Sequence, residues 1–152
     1  MKKFVSTLLV FALMLVLSQS AFAATGFADT QETAFAITPT KGGVITITMS
    51  LSNSGDKDWY KWTNNTGKGR YISSAFASGG KGNSEFKIAN KIVYNNGKET
   101  NLFYNEYFNG YSGVITDIYV PNGATIYVII QSQKFDSPSD TYDLYFVDLD
   151  IR

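Results

Sequence analysis

The 152-residue sequence contains neither cysteine nor histidine. Without cysteine it can form no disulfide framework, no thiolate metal site and no thiol nucleophile. Without histidine it can form no Ser-His-Asp or Cys-His catalytic group and no His-ligated zinc site. Charge of one sign is also missing, because 13 Lys and Arg balance 13 Asp and Glu. A nucleic-acid partner is therefore not expected, since such proteins carry a basic patch. Proline is scarce at 3 residues, whereas 13 Gly, 10 Tyr, 11 Phe and 2 Trp are present. This length and composition suit a single domain with an aromatic-rich core.

The N-terminus reads as a targeting segment. Lys2 and Lys3 precede an apolar run from Phe4 to Leu17, and Ala21-Phe22-Ala23 supplies a small-x-small triplet. That three-part pattern predicts a secretory signal peptide over residues 1–23, cleaved after Ala23. The run is shorter than the roughly 20 residues that a spanning helix needs. The expected mature domain is 24–152, with a net charge of about −2 once Lys2 and Lys3 are gone. The expected location is extracellular. A secreted chain that dispenses with disulfides fits a Gram-positive bacterial route and must rely on its core.

The mature chain reads as all-β. In Val44–Leu51, Ile45, Ile47, Met49 and Leu51 share one face, while Thr46, Thr48 and Ser50 share the other. This is the period-2 pattern of a half-buried strand. Asp58–Thr63 puts Tyr60 and Trp62 on one face and Trp59 and Lys61 on the other. Further strands are expected over 70–76, 86–94, 114–120, 125–132 and 142–147. Asn96-Gly97 marks a hairpin turn, and Pro121-Asn122-Gly123 marks a second turn. Apart from one turn near Thr30–Ala34, no segment has helical periodicity. Short strands separated by regular turns predict a sandwich or small barrel.

Four stretches together resemble the bacterial pre-peptidase C-terminal domain family, which includes collagen-binding modules of clostridial collagenases. They are Asp29-Thr30-Gln31-Glu32-Thr33-Ala34, Gly55-Asp56-Lys57-Asp58-Trp59-Tyr60-Lys61-Trp62, Val120-Pro121-Asn122-Gly123-Ala124-Thr125-Ile126-Tyr127-Val128 and Tyr142-Asp143-Leu144-Tyr145-Phe146. The second is the most specific, an Asp-x-Asp-aromatic-Tyr-x-aromatic block. The resemblance implies a jelly-roll-like antiparallel β-sandwich of about eight strands, acting as a non-catalytic module. Family members usually accompany a hydrolase domain, and no such domain is expected in this chain.

Calcium is the cofactor that the resemblance suggests. Asp29, Asp56 and Asp58 stand at ligand-type positions, whereas Gly26 and Ala28 replace an acidic residue and an Asn of calcium-binding members. Calcium takes about six to eight oxygens, so two protein ligands are lacking. The plainer alternative is that Asp29 and Asp58 cap turns through backbone N–H groups.

The aromatic residues offer a second candidate site. Phe103, Tyr104, Tyr107, Phe108 and Tyr111 are interleaved with Asn101, Asn105 and Asn109. Aromatic faces beside amides suit stacking on sugar rings or on a fibrous protein. Strand packing is the alternative, but the adjacent pairs cannot all face inward. Trp59, Tyr104, Tyr107 and Tyr111 are the expected contact residues, and Trp62 is expected in the core. Catalysis is not expected, because the carboxylates form no acid–nucleophile spacing. Gly79–Asn83 lacks the spacing of a phosphate loop. The leading expectation is a secreted module that binds an extracellular polymer, either polysaccharide or fibrous protein. The alternatives are a self-associating envelope or matrix protein, and a secreted effector such as a protease inhibitor or toxin.

Overall fold

The computed structural model describes residues 27–39, 43–80, 82–105 and 109–149. The expected signal peptide lies outside them. Nine strands run in the order β1 (Phe35–Ala36), β2 (Val44–Ser50), β3 (Lys57–Thr63), β4 (Arg70–Ser78), β5 (Glu85–Val93), β6 (Phe103–Tyr104), β7 (Ser112–Val120), β8 (Thr125–Lys134) and β9 (Thr141–Leu149). Among the described residues there is no helix, and hence none that could cross a membrane.

The strands form a five-stranded sheet, β1-β3-β8-β5-β6, and a four-stranded sheet, β2-β9-β4-β7. Apart from β1, these are the two four-stranded sheets of a jelly roll, in which the chain repeatedly crosses from one sheet to the other. Every strand pairing is antiparallel except the short parallel contact of β1 with β3. The expected sandwich is therefore present, with β1 added to the eight strands. The seven longer strands lie within two residues of the expected bounds at every end. Two-residue β1 and β6 are too short to show a period, so the sequence gives no sign of them.

The core is built by alternation on facing sheets. Tyr60, Trp62, Phe86, Ile88, Ile126, Val128 and Ile130 project inward from the five-stranded sheet. Ile72, Phe76, Tyr142, Leu144 and Phe146 meet them from the other side. Rings interlock across the gap, with Phe86 and Tyr142 centroids 5.3 Å apart and Trp62 and Phe146 centroids 6.0 Å apart. Some polar groups inside this core pair with one another, while Asn90 Nδ2 and Asp148 Oδ1 have no hydrogen-bond partner among the described residues. Ser74 Oγ donates to Asn90 Oδ1 at 2.9 Å, and Arg70 lies 3.8 Å from Asp148.

The turns do what their residues allow. Gly97 takes φ 79° and donates to the Tyr94 carbonyl, and Tyr94 N–H donates to the Lys98 carbonyl. This closes the hairpin that brings β6 beside β5. Pro121-Asn122-Gly123 instead carries the chain from one sheet to the other. Buried Asn64 braces that arch: its amide bonds the Val120 and Lys68 carbonyls, and its backbone bonds Gly123 and Ala124.

Trp62 is an inward anchor of this packing. Trp62→Ala is expected to cost about 3–5 kcal/mol, read as a lower urea midpoint. An unchanged midpoint would contradict its placement in the core.

Candidate functional site

Two groups of residues stand out, one at an end of the sandwich and one on the outer face of the five-stranded sheet. The first joins the segment before β1, the β2–β3 loop and the start of β3. Carboxylate oxygens of Asp29, Asp56 and Asp58 lie within 4.8 Å of one another. The sequence separates Asp29 from the other two by more than 25 residues; a backbone bond closes that gap. Trp59 N–H donates to the Ala28 carbonyl at 2.7 Å, which lays residue 29 beside the start of β3. Ala28 is buried and held at φ 59°, a left-handed conformation that Asn and Gly adopt more readily than Ala.

The expected turn-capping role falls to Asp56 rather than Asp58. Asp56 Oδ2 accepts from Ser52 N–H at 2.6 Å, and its Oδ1 accepts from Lys57 N–H at 2.7 Å. Asp58 points inward with Tyr60, because it shares that strand face. Its Oδ2 accepts from the Tyr142 hydroxyl, and that hydroxyl lies 2.6 Å from the Tyr60 hydroxyl. Burial raises the Asp58 carboxyl to about 7. The Tyr142 hydrogen bond opposes this rise, while the like charges of Asp56 and Asp29 reinforce it. Burial likewise raises both tyrosines.

The cluster fits a hard divalent cation in part. It offers three carboxylates with like-charge repulsion that a cation would relieve, beside an open depression also lined by Ser52, Asn53, Gly55 and Lys57, whose ammonium would compete with that cation. Calcium would draw its remaining oxygens from backbone carbonyls, the Asn53 amide and water. Ala28 offers no side-chain oxygen, and its carbonyl is already engaged by Trp59.

The second group follows from register. Trp59 pairs with Ile129, Ile129 with Ala89, and Ala89 with Tyr104. Directly opposed residues share a face, so these four form one row across β3, β8, β5 and β6. Its ends are about 14 Å apart, or three strand spacings. Ile129 and Ala89 are buried yet stand outside the core between the sheets. They form an apolar floor on the outer face. Tyr127 stands edge-on to Trp59 at 6.0 Å, and Lys87 Nζ lies 5.7 Å above the Tyr104 ring. Alternation puts Lys57, Lys61 and Lys91 on this face too. Lys91 bonds Glu99 at 2.8 Å and Gln31 at 3.0 Å.

The expected contact residues thus divide. Trp59 and Tyr104 come together on one face. Tyr111 is exposed and precedes β7, its carbonyl accepting from Ser78 N–H of β4, so it is not a member of this row. Tyr107 lies outside the described residues. Tyr127, Ile129, Ala89 and Lys87 were not anticipated. The alternation of β8 and β5 is the signal that could have placed them, once the strand order was known.

Asp58 makes stability depend on pH in a defined direction. An unfolded Asp titrates near 3.9. Between about pH 4 and 7 the folded chain keeps a proton that the unfolded chain has released. This group's contribution is therefore full below pH 4 and is lost as pH rises through 7. Urea unfolding in chelator at pH 4 and pH 8 should show wild type losing about 2–4 kcal/mol relative to Asp58→Asn. Parallel pH profiles would contradict the buried carboxyl.

No protein-family profile matches the chain, and no curated protein sequence matches it. Solved structures do resemble it. The pre-peptidase C-terminal domain of a collagenase from Bacillus anthracis superposes with a TM-score of 0.50 at 18% identity. That match covers 74% of this chain and 93% of that one. A protein from Sulfurospirillum deleyianum gives 0.40 at 12% identity, covering 71% and 98%. A carbohydrate-binding module in complex with calcium and xylotriose gives 0.32 at 16% identity, covering 66% and 86%. The first match shows the fold: the chain is a β-sandwich of the kind found in the pre-peptidase C-terminal domain of that collagenase.

Proposed function

We propose that this chain is a secreted, non-catalytic module that binds an extracellular polymer through the outer face of its five-stranded sheet. The observation that carries the reading is the row Trp59–Ile129–Ala89–Tyr104 with Tyr127 beside it. Stacking of sugar rings or apolar side chains needs a flat, rigid aromatic surface. Here the rings are fixed on paired strands, which hold a surface more firmly than loops do. Tyr104 is exposed and Trp59 and Tyr127 are partly exposed, so these rings are the contact points, with buried Ile129 and Ala89 between them.

Charge narrows the polymer class. Lys57, Lys61, Lys87 and Lys91 gather on this face, and only Lys91 is engaged by a carboxylate among the described residues. A cationic rim around aromatic rings favours an anionic polymer, such as an acidic cell-wall glycan, and predicts weakening by salt. The family resemblance supports a binding module, and the N-terminal segment supports secretion. Calcium at Asp29, Asp56 and Asp58 belongs to the same reading. It would brace the start of β3, which carries Trp59.

Co-sedimentation of the 24–152 chain with cell-wall sacculi, chitin, cellulose and collagen tests the proposal, in calcium and in chelator. Retention by one polymer is expected, with at least a tenfold loss in Trp59→Ala/Tyr104→Ala and none in Tyr119→Ala on the opposite sheet. Calcium should raise the melting temperature of wild type but not of Asp56→Asn. Failure to bind any of the four polymers, or equal loss in Tyr119→Ala, would overturn the assigned face.

A further inference from the structure

The four edges of the two sheets are not alike. β1 and β6 end the five-stranded sheet and are two residues long. β7 ends the four-stranded sheet, but its pairing with β4 shifts register opposite Ile72–Ser74, with Asp117 at φ 55° in the shifted stretch. Short strands and bulges are the ordinary means of blunting an edge. β2 has neither. It keeps regular register with β9 over seven residues and, among the described residues, pairs with no other strand. Its sequence, Val44-Ile45-Thr46-Ile47-Thr48-Met49-Ser50, has no charge, proline or glycine to discourage pairing.

The core is also unfinished at this edge. Ile45, Ile47 and Met49 face inward yet remain only half-buried. Ile47 and Met49 open into a groove of about 210 Å³ that Phe27, Phe35 and Tyr60 complete. Phe27 and Phe35 are 39% and 41% exposed, and their rings lie 5.6 Å apart. An extended strand added beside β2 would satisfy its free backbone groups and cover this groove.

We infer that the added strand is β2 of a second copy of this chain. Antiparallel self-pairing about Ile47 sets Ile45 against Met49 and Thr46 against Thr48. Inward residues then meet inward residues, and hydroxyls meet hydroxyls. No charge opposes a like charge, and a net charge near zero adds little long-range repulsion. The operation is a two-fold axis perpendicular to the sheet, which closes as a dimer. It joins the two four-stranded sheets into one of eight strands and brings the two apolar grooves together. It also turns both five-stranded sheets to the same side, so one polymer could engage two faces with added avidity. The dimer stands on the edge alone and does not require the polymer reading.

Sedimentation velocity of the 24–152 chain from 5 to 500 μM tests the inference. The expected result is a concentration-dependent doubling of mass. Val44→Lys/Thr46→Lys changes two exposed edge side chains and should abolish the doubling with the melting temperature of a dilute sample unchanged. Val114→Lys, on the opposite edge strand, should leave the dimer intact. A monomer throughout would overturn the inference and leave the edge to a strand of another protein. A dimer indifferent to the β2 lysines would overturn it equally.

Discussion

The outer face of this protein depends on one constraint, the register in which β8 lies between β3 and β5. That register is fixed from inside. Ile126, Val128 and Ile130 must face the core, and a slip of one residue would turn all three outward. Once they are placed, Tyr127 and Ile129 have no choice but to face outward. They then stand beside Trp59 on one flank, and Ile129 stands beside Ala89 on the other. The proposed binding surface is thus the reverse side of the core, and the packing that sets the core also sets which side chains it presents.

The same logic explains the acidic end of the sandwich. Asp58 shares the inward face of β3 with Tyr60 and Trp62, so its carboxylate is buried by the alternation that builds the core. The Tyr142–Tyr60 hydroxyl pair supplies its hydrogen bond. Asp56 and Asp29 then crowd it from the rim. A cost accepted at this position is commonly associated with function. Here it falls beside Trp59, at the end of the aromatic row.

Much of this was legible in the sequence. Alternation in 44–51, 58–63 and 142–147 gave the strands and the inward set, including Trp62. The Asp-x-Asp-aromatic block pointed to both candidate sites. The pairing of distant strands was not legible. Ala89 and Ile129 look like core residues, and only strand order reveals that they floor an outer face. Trp59 and Tyr104 lie 45 residues apart in sequence, and three β-ladders are needed to align them. The separation of Tyr111 from this row was illegible for the same reason, since nearness to Tyr104 in sequence does not put it on the same strand ladder. The role of Asp58 was half legible: its backbone bonds belong to Asp56, because strand parity turns Asp58 away from the loop.

The central claim is that polymer contacts the outer face of the five-stranded sheet. Hydroxyl-radical footprinting of the chain, free and on a polymer that retains it, tests this most directly because it reads side-chain exposure in the unmodified protein. The account predicts reduced oxidation of Trp59, Tyr104 and Tyr127 on the polymer, with Tyr119 unchanged. Protection of Tyr119 with Trp59, Tyr104 and Tyr127 left as reactive as in the free chain would contradict it.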